Sequence, residues 1–226
     1  MQKLSIPFVL LLSLTFFSSR CQKTTSKKAD SVKILDPEQI VFGDTTAGEF
    51  YELGDSYKEN KQYKRALTAF QRVVSLDKDY VLAYWRIGMI YSETGYYQKA
   101  IDSYNNAIKK NPQMIKAYNS LGIVYVKQAN YPKALETFEK CIKLNPDFHL
   151  TYVNRGILYD ETNQKELAVK DYDKAIMLVP NDGIAHENRG NTYQSMGKMD
   201  KACADWKKAY ELGEVSAGEK LKKYCK

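Results

Sequence analysis

The stretch at residues 118–146, YNSLGIVYVKQANYPKALETFEKCIKLNP, contains residue types that return every 34 positions along most of the chain. Those residues are Gly122, Tyr125, Ala134, Phe138 and Pro146. Glycine and tyrosine stand three residues apart in one apolar segment, and alanine and phenylalanine stand four apart in the next. Spacings of three and four place side chains on one face of a helix, so the stretch predicts two amphipathic helices joined by a short turn.

The same pattern runs from Ala47 onward in five consecutive copies. The recurring residues are Gly54, Gly88, Gly122, Gly156 and Gly190; Tyr57, Tyr91, Tyr125, Tyr159 and Tyr193; Ala66, Ala100, Ala134, Ala168 and Ala202; and the aromatic set Phe70, Tyr104, Phe138, Tyr172 and Trp206. The chain thereby resembles the tetratricopeptide repeat family, whose unit is a helix-turn-helix of this length. Stacked repeats bury the apolar stripe that a single repeat cannot bury.

The resemblance implies an all-α, right-handed superhelical solenoid of five repeats followed by a capping helix. The repeats fall at residues 47–80, 81–114, 115–148, 149–182 and 183–216, and the capping helix falls at 217–226. Residues 1–20 are interpreted as a signal peptide and residues 21–46 as a polar tether.

The first 21 residues have the layout of a secretory signal. A positive charge at Lys3 precedes the apolar run from Leu4 to Phe17, and a short polar stretch leads to Cys21. Such a run ending just before a cysteine resembles a bacterial lipoprotein signal, which implies lipidation of Cys21, although Arg20 stands where that class prefers a small residue. A cleaved signal without lipid and an uncleaved anchor are the alternatives, and all three export the chain.

Composition is that of a folded protein with a moderate basic excess. The 226 residues are 44% hydrophobic and carry a net charge of +7, which cleavage before Cys21 would lower to +5. Part of the excess lies in lysines near the two ends of the chain, where solvation is the ordinary interpretation. Because the chain is expected to be exported, we expect no nucleic-acid partner, and no motif implies a cofactor or a metal.

The tripeptide NRG distinguishes the last two repeats from the first three. Arg155 and Arg189 precede the repeated glycine there, and Asp171 and Asp205 follow the arginines by sixteen residues. The first three repeats have Leu53, Ile87 and Leu121 at the first position and Ala69, Ser103 and Thr137 at the second. These positions face each other in the family, so the resemblance implies the ion pairs Arg155–Asp171 and Arg189–Asp205. Contact of the arginines with a ligand is the alternative.

A partner-binding groove also follows from the resemblance, because the first helices of successive repeats line a concave surface in this family. Carried over by register, the inward residues are Tyr51, Asp55, Trp85, Arg86, Met89, Asn119, Ile123, Asn154, Ile157, Asn188 and Asn191. The groove would be aromatic and apolar at one end and rich in amides, which can pair with a peptide backbone, at the other. Packing between neighbouring repeats is the alternative role for Trp85.

Two functions are disfavoured. Family members that clamp the C-terminal carboxylate of cytosolic chaperones need lysine where this chain has Leu150 and Ile184. Enzyme activity is disfavoured because the sequence has no Gly-rich phosphate loop, zinc spacing or nucleophile elbow. Of the two histidines, His149 opens a repeat, and His186 takes a position that is aromatic in the other repeats and is interpreted as a packing residue.

The remaining cysteines divide into one core residue and one pair. Cys141 aligns with the small residues Ala107 and Ala175, which predicts a buried thiol. Cys203 and Cys225 lie at similar distances on either side of the turn before the final helix. A helical hairpin would bring them level, so an oxidising compartment predicts a disulfide between them, provided that the two helices have the matching phase.

The hypothesis that results is a non-catalytic scaffold that binds partner proteins or peptides in its groove. It is similar to the tetratricopeptide lipoproteins of diderm bacteria, which implies a membrane anchor at Cys21 and a periplasmic location, on the outer membrane in such a cell. A self-assembling structural subunit and a soluble periplasmic adaptor are the alternatives.

Overall fold

A computed structural model describes residues 45–225. The predicted signal peptide, the lipidation at Cys21 and nearly all of the predicted tether lie outside the described residues. Within the described range the chain forms eleven α-helices and no strand. They are α1 (Ala47–Glu59), α2 (Tyr63–Leu76), α3 (Val81–Glu93), α4 (Tyr97–Lys110), α5 (Ile115–Lys127), α6 (Tyr131–Leu144), α7 (His149–Glu161), α8 (Lys165–Leu178), α9 (Gly183–Ser195), α10 (Met199–Glu211) and α11 (Val215–Tyr224).

The helices pack in chain order as five consecutive pairs. In each pair an odd-numbered first helix lies against the even-numbered second helix that follows it, and each second helix also contacts the next first helix. The first helices α3, α5, α7 and α9 additionally contact one another along one side of the stack. This arrangement confirms the predicted all-α solenoid, and we call the side formed by the first helices the inner face.

Local sequence signals set several of the helix ends. Thr46 and Glu49 form a reciprocal capping box at the start of α1. Asn130 caps α6, in whose first turn Pro132 lacks the N–H that would otherwise need a partner, and Asp182 caps α9. Thr46 and Asp182 thus mark the start of the first and fifth repeats, and Asn130 marks the start of the second helix of the third repeat.

The turn inside each repeat uses one left-handed residue at a constant position. The five are Lys61, Gly95, Ala129, Asn163 and Gly197, with φ between 55° and 81°. Glycine and asparagine tolerate this conformation, whereas lysine and alanine adopt it against their own preference. The close packing of the flanking helices therefore dictates the turn more strongly than the turn residue does.

Each helix pair crosses where the repeated glycine meets the repeated aromatic residue. A Cβ added at Gly122 would lie 2.4 Å from Cε1 of Phe138, and the same contact joins Gly156 to Tyr172 at 2.6 Å. The Phe138 and Tyr172 rings are fully buried. The two helices can approach this closely only because glycine presents no side chain to the ring.

Successive repeats join through a second periodic contact, made by small buried residues on the first helices. These residues are Ala83, Ala117, Thr151, Ala185 and Ala217, all with 0% exposure. Ala217 follows Ala185 by 32 residues rather than 34. Helix α11 is thus the first helix of an incomplete sixth unit, and it begins at Val215, two residues before the predicted start of the capping helix.

The outward faces of α1 and α11 carry charged residues at positions that are small or apolar elsewhere. Glu49 is exposed at the α1 position that corresponds to Ala83, and Lys222 is exposed at the α11 position that corresponds to Gly190. A carboxylate or ammonium group cannot be buried there without a partner. These two faces therefore do not continue the stack as an internal repeat would.

The glycine crossing generates a stability prediction. Gly122→Ala should lower the free energy of unfolding by about 1–3 kcal/mol, because the new Cβ must displace the buried Phe138 ring. Gly48→Ala is the matched control, since Gly48 lies in α1 with only Thr46 Oγ1 near its missing Cβ, at 3.8 Å. The control should leave stability unchanged or raise it by up to about 1 kcal/mol. Chemical denaturation of both variants measures the difference, and equal stabilities would contradict the packing argument.

Candidate functional site

The predicted groove residues all lie on first helices. Asn119 is buried, and the other ten, from Tyr51 to Asn191, are half-buried. The structure thus brings this set together along the inner face, on the helices α1, α3, α5, α7 and α9. Their hydrogen bonds decide which of them are available to a partner.

At the N-terminal end of the inner face, Arg86 is engaged within the chain. Its Nε donates to the Tyr51 hydroxyl at 3.0 Å, its Nη2 donates to Asp55 Oδ2 at 3.0 Å, and its guanidinium lies 5.0 Å from the centre of the Trp85 ring. Burial raises the pKa of Tyr51 although the hydrogen bond from Arg86 acts to lower it, so the phenol stays neutral. These four residues tie α1 to α3 and give this end of the inner face a fixed shape.

Two further hydrogen bonds continue this pattern along the stack. The indole Nε1 of Trp85 donates to Ser120 Oγ at 3.0 Å, and Nδ2 of Asn154 donates to Asn119 Oδ1 at 3.0 Å. Like the Tyr51–Arg86 bond, each joins residues 35 positions apart on neighbouring first helices. Trp85 therefore has the inter-repeat packing role as well as a partly exposed surface. Sequence reasoning did not find these links, although polar residues 35 apart were the available signal.

At the C-terminal end of the inner face, α11 contacts Glu187 and Asn191 of α9. Nζ of Lys220 lies 2.6 Å from Glu187 Oε1 and donates to Asn191 Oδ1 at 2.7 Å, and Asn191 Oδ1 also accepts from Trp206 Nε1 at 3.0 Å. Ser216 donates to the same Glu187 carboxylate. Asn191, assigned by sequence to an open groove, belongs instead to the contact among α9, α10 and α11.

The accessible part of the inner face includes apolar side chains on α3, α5, α7 and α9. Leu82, Leu150 and Ile184 occupy the same position in three repeats and are 44%, 42% and 54% exposed, whereas α5 has the exposed Lys116 at that position. Met89, Ile123 and Ile157 follow on the same helix faces and are half-buried. We call these six residues the central apolar strip.

Asn188 lies beside the central apolar strip on α9. It is half-buried, and no hydrogen bond of its side-chain amide is formed within the described residues. Among the predicted groove amides, Asn119, Asn154 and Asn191 each hydrogen-bond another side chain. Asn188 thus keeps both a donor and an acceptor available to a ligand.

The arginines of the two NRG motifs lie in ion pairs inside their own repeats. Nε and Nη2 of Arg155 donate to Asp171 at 2.7 and 2.8 Å, and Arg189 holds Asp205 in the same forked geometry at 2.8 and 2.7 Å. Burial acts to lower the pKa of Arg155, but the hydrogen bonds and charge of Asp171 outweigh it and raise that pKa. Both carboxylates are buried, so neither pair offers an open site to a ligand.

Arg189 and His186 extend the second pair into a network that the sequence analysis did not identify. Nη1 of Arg189 reaches Asp173 Oδ1 of the preceding repeat at 2.6 Å. His186 is buried, with Nδ1 3.2 Å from Asp205 Oδ1 and Nε2 3.1 Å from the carbonyl oxygen of Pro180. The histidine thus takes the place of Tyr152, whose hydroxyl donates to the carbonyl of Pro146 in the repeat before. These contacts give His186 a structural role.

A second unpredicted contact joins the last two repeats through Asp160. Its Oδ2 accepts hydrogen bonds from the Tyr172 hydroxyl at 2.9 Å and from Thr192 Oγ1 at 2.6 Å. Lys165 lies 3.5 Å from Oδ1. Burial and the neighbouring Asp160 charge raise the pKa of Tyr172, so its hydroxyl is held as a donor.

The cysteines are placed as one disulfide and one buried thiol. Cys203 and Cys225 form a disulfide with their Cα atoms 5.8 Å apart. Cys141 is buried, and its Sγ lies 3.0 Å from Thr151 Oγ1. Burial raises the pKa of the Cys141 thiol, which keeps it protonated and unreactive.

Residues 45–225 contain neither a candidate metal site nor a candidate membrane-spanning helix. No group of three or more histidine, cysteine, aspartate or glutamate side chains is placed to hold a metal ion. None of the helices described there is both long enough and apolar enough to cross a membrane.

Comparison with known proteins identifies the repeats. Family models described as tetratricopeptide repeat match residues 115–148, 150–182 and 185–212, and a model described as TPR repeat matches residues 54–95 and 88–129. Together these matches cover well over half of the chain, which belongs to the tetratricopeptide repeat family. No curated protein sequence matches the chain.

Several solved structures share the fold. TTC0263 of Thermus thermophilus, a thermophilic TPR protein, is 19% identical with a TM-score of 0.69, over 79% of this chain and 98% of that one. MamA from Desulfovibrio magneticus RS-1 is 22% identical with a TM-score of 0.63, over 77% and 98%. YrrB, described as a TPR protein with an unusual peptide-binding site, is 21% identical with a TM-score of 0.57, over 78% and 92%. At these identities the likeness extends to the fold alone.

The Arg155–Asp171 pair generates a prediction that separates a structural role from a binding role. Arg155→Leu should lower the free energy of unfolding by about 3 kcal/mol, because Asp171 is left buried without its partner. Adding Asp171→Ala recreates the Leu53 and Ala69 combination of the first repeat and should restore most of the loss. Thermal or chemical unfolding of the single and double variants measures this. If Arg155→Leu is as stable as the parent chain, the Arg155–Asp171 pair does not stabilise the fold.

Proposed function

We propose that the chain is a non-catalytic scaffold that holds a partner polypeptide on its inner face. The observation that carries this proposal is the central apolar strip, since aligned exposed apolar side chains on a folded protein mark interaction surfaces. The polar links at both ends of the inner face hold the flanking helices in place, so the strip is presented by a rigid surface. The peptide-binding description of YrrB, which shares the fold, agrees with this use.

The geometry favours an extended partner segment with apolar side chains. First helices in contact lie about 8–10 Å apart, which a chain in the extended polyproline II conformation, with three residues per turn and a rise of about 3.1 Å per residue, spans in about three residues. A segment with an apolar residue at every third position would therefore place successive side chains against Leu150 and Ile184 on α7 and α9. The free Asn188 amide can then donate to and accept from the partner's backbone between them.

Photo-crosslinking provides the first test of this surface. A photoreactive amino acid at Leu150 should capture a partner in intact cells, and the same residue at Met177 should not. Met177 is the matched control because it is an exposed apolar residue at 64% exposure but lies on the second helix α8. Mass spectrometry of the crosslinked peptide identifies the partner segment. Equal capture at Leu150 and Met177 would contradict the proposal that the partner binds the inner face.

The captured segment then allows a binding measurement. A synthetic peptide of that segment should bind Asn188→Ala and Ile184→Ala about tenfold more weakly than the parent chain, because each variant removes one contact of the size typical of an interface anchor. Met177→Ala should bind it unchanged. If the only captured protein is a second copy of this chain, self-assembly replaces the scaffold proposal.

We further propose that the scaffold is exported and held at a membrane, on its periplasmic side, by a lipid on Cys21. Support comes from the sequence alone: the charge at Lys3, the apolar run from Leu4 to Phe17 and the cysteine that follows it. A single saturated chain gives only weak membrane binding, and the triacyl modification of bacterial lipoproteins would give a stable anchor.

Cell fractionation tests the anchor. Cys21→Ser should move the chain from the membrane fraction to the soluble fraction and abolish incorporation of a labelled fatty acid. Cys141→Ser is the matched control, because Cys141 is buried and its substitution should change neither the membrane association nor the fatty-acid labelling. Membrane association that survives Cys21→Ser would rule out a lipid on Cys21 as the anchor and leave the uncleaved signal as the alternative.

A further inference from the structure

The docking of α11 on the last repeat combines a small apolar contact with polar contacts. Ala217 is buried and packs in a cluster with Ala202, Trp206 and Ala209 of α10. Trp206 itself is fully buried. Removal of α11 would therefore expose the Trp206 indole and two alanines of α10. The corresponding residues of each earlier second helix are covered by the next first helix.

The polar contacts of α11 reach the inner face. Lys220 binds Glu187 and Asn191 on α9, and Ser216 donates to Glu187. The side chains of Lys220 and Glu187 are only 28% and 15% exposed. While α11 is docked, these groups are unavailable to any other ligand, and the accessible inner face ends before them.

Helix α11 buries fewer residues than the other first helices. Only Ala217 and Gly218 are buried in this ten-residue helix, whereas α3, α5, α7 and α9 each bury four to six residues. A helix of ten residues is marginal on its own. It is joined to α10 by a short link in which Gly213 has a φ of 105°, a conformation that glycine adopts freely.

We propose that the Cys203–Cys225 disulfide is a redox-controlled strap whose reduction releases α11 and opens the C-terminal end of the inner face. Both cysteines are half-buried, so a small dithiol can reach them. In the reaction one sulfur of the dithiol attacks the disulfide and forms a mixed disulfide, and its second thiol then displaces the remaining protein thiol. The protein gains two electrons and two protons as Cys203 and Cys225 become thiols, and the dithiol leaves as a cyclic disulfide.

The effect of the strap follows from the length of chain that it closes. The two cysteines are 22 positions apart, but the residues up to Glu211 stay in α10, so the segment freed when α11 undocks has about 15 residues, and in the chain-entropy account a loop of that size favours the closed state by about a hundredfold. Reduction should therefore raise the population of undocked α11 by up to about a hundredfold, while the five complete repeats remain folded. The strap is independent of the proposed partner binding and is tested without a partner.

Amide hydrogen exchange of the full chain measures the release of α11. The exchange of residues 215–224 is compared in the oxidised chain and after treatment with dithiothreitol, with α7 and α9 as internal references. The Cys203→Ser/Cys225→Ser variant is the matched control, since it should exchange like the reduced chain and should not respond to dithiothreitol. Exchange in residues 215–224 should become at least tenfold faster on reduction, and the references should not change.

Two results would overturn the proposal. If residues 215–224 exchange at the same rate before and after reduction, α11 docks without the disulfide and no strap exists. If α9 and α10 lose protection together with α11, the disulfide stabilises the whole last repeat rather than controlling α11.

Discussion

Every helix pair depends on the contact between its glycine and its aromatic ring. At Gly122 a single methyl group would overlap Phe138, so the distance between the paired helices is set by the absence of a side chain. The ring fills the space that the close crossing leaves beside it, and the small residues that join successive repeats act in the same way between pairs. The angle and spacing of the first helices, and hence the shape of the inner face, follow from these two contacts.

The polar residues that differ among repeats stabilise the stack more than they offer sites. Arg155 and Arg189 hold buried carboxylates, Asp160 joins two repeats, and Arg86 links α1 to α3. A buried charged group that lacks its partner destabilises the fold, so each of these residues depends on the partner that its repeat or the neighbouring repeat supplies. The central apolar strip and the amide of Asn188 are among the groups that this arrangement leaves accessible on the inner face, and the proposed function rests on them.

The fold could be predicted because each repeat encodes its own contacts at a constant spacing, and family matches and structure both confirm it. The partners of Arg155 and Arg189 could be inferred because arginine and aspartate change together between repeats. The engagement of Asn191 by Lys220 could not, because α11 follows α9 by 32 residues rather than 34, so the repeat spacing of the sequence does not place its side chains. The contacts of Asp160 were not predicted for a related reason, since its hydrogen bonds from Tyr172 and Thr192 have no equivalent at the same positions of the other described repeats. The binding role of the inner face stays a prediction.

The charged residues at the two ends of the stack bear on how such a chain can change in length during evolution. Duplication of an internal repeat would again place a small residue between neighbouring repeats and a glycine at the helix crossing. The solenoid would then gain one unit without a new kind of contact. Duplication of the α1 unit would instead bury Glu49, and addition of a second helix after α11 would press a ring against Lys222. Internal duplication would therefore repeat contacts that already exist, whereas a further repeat packed on α1 or α11 would bury a charged residue at a cost.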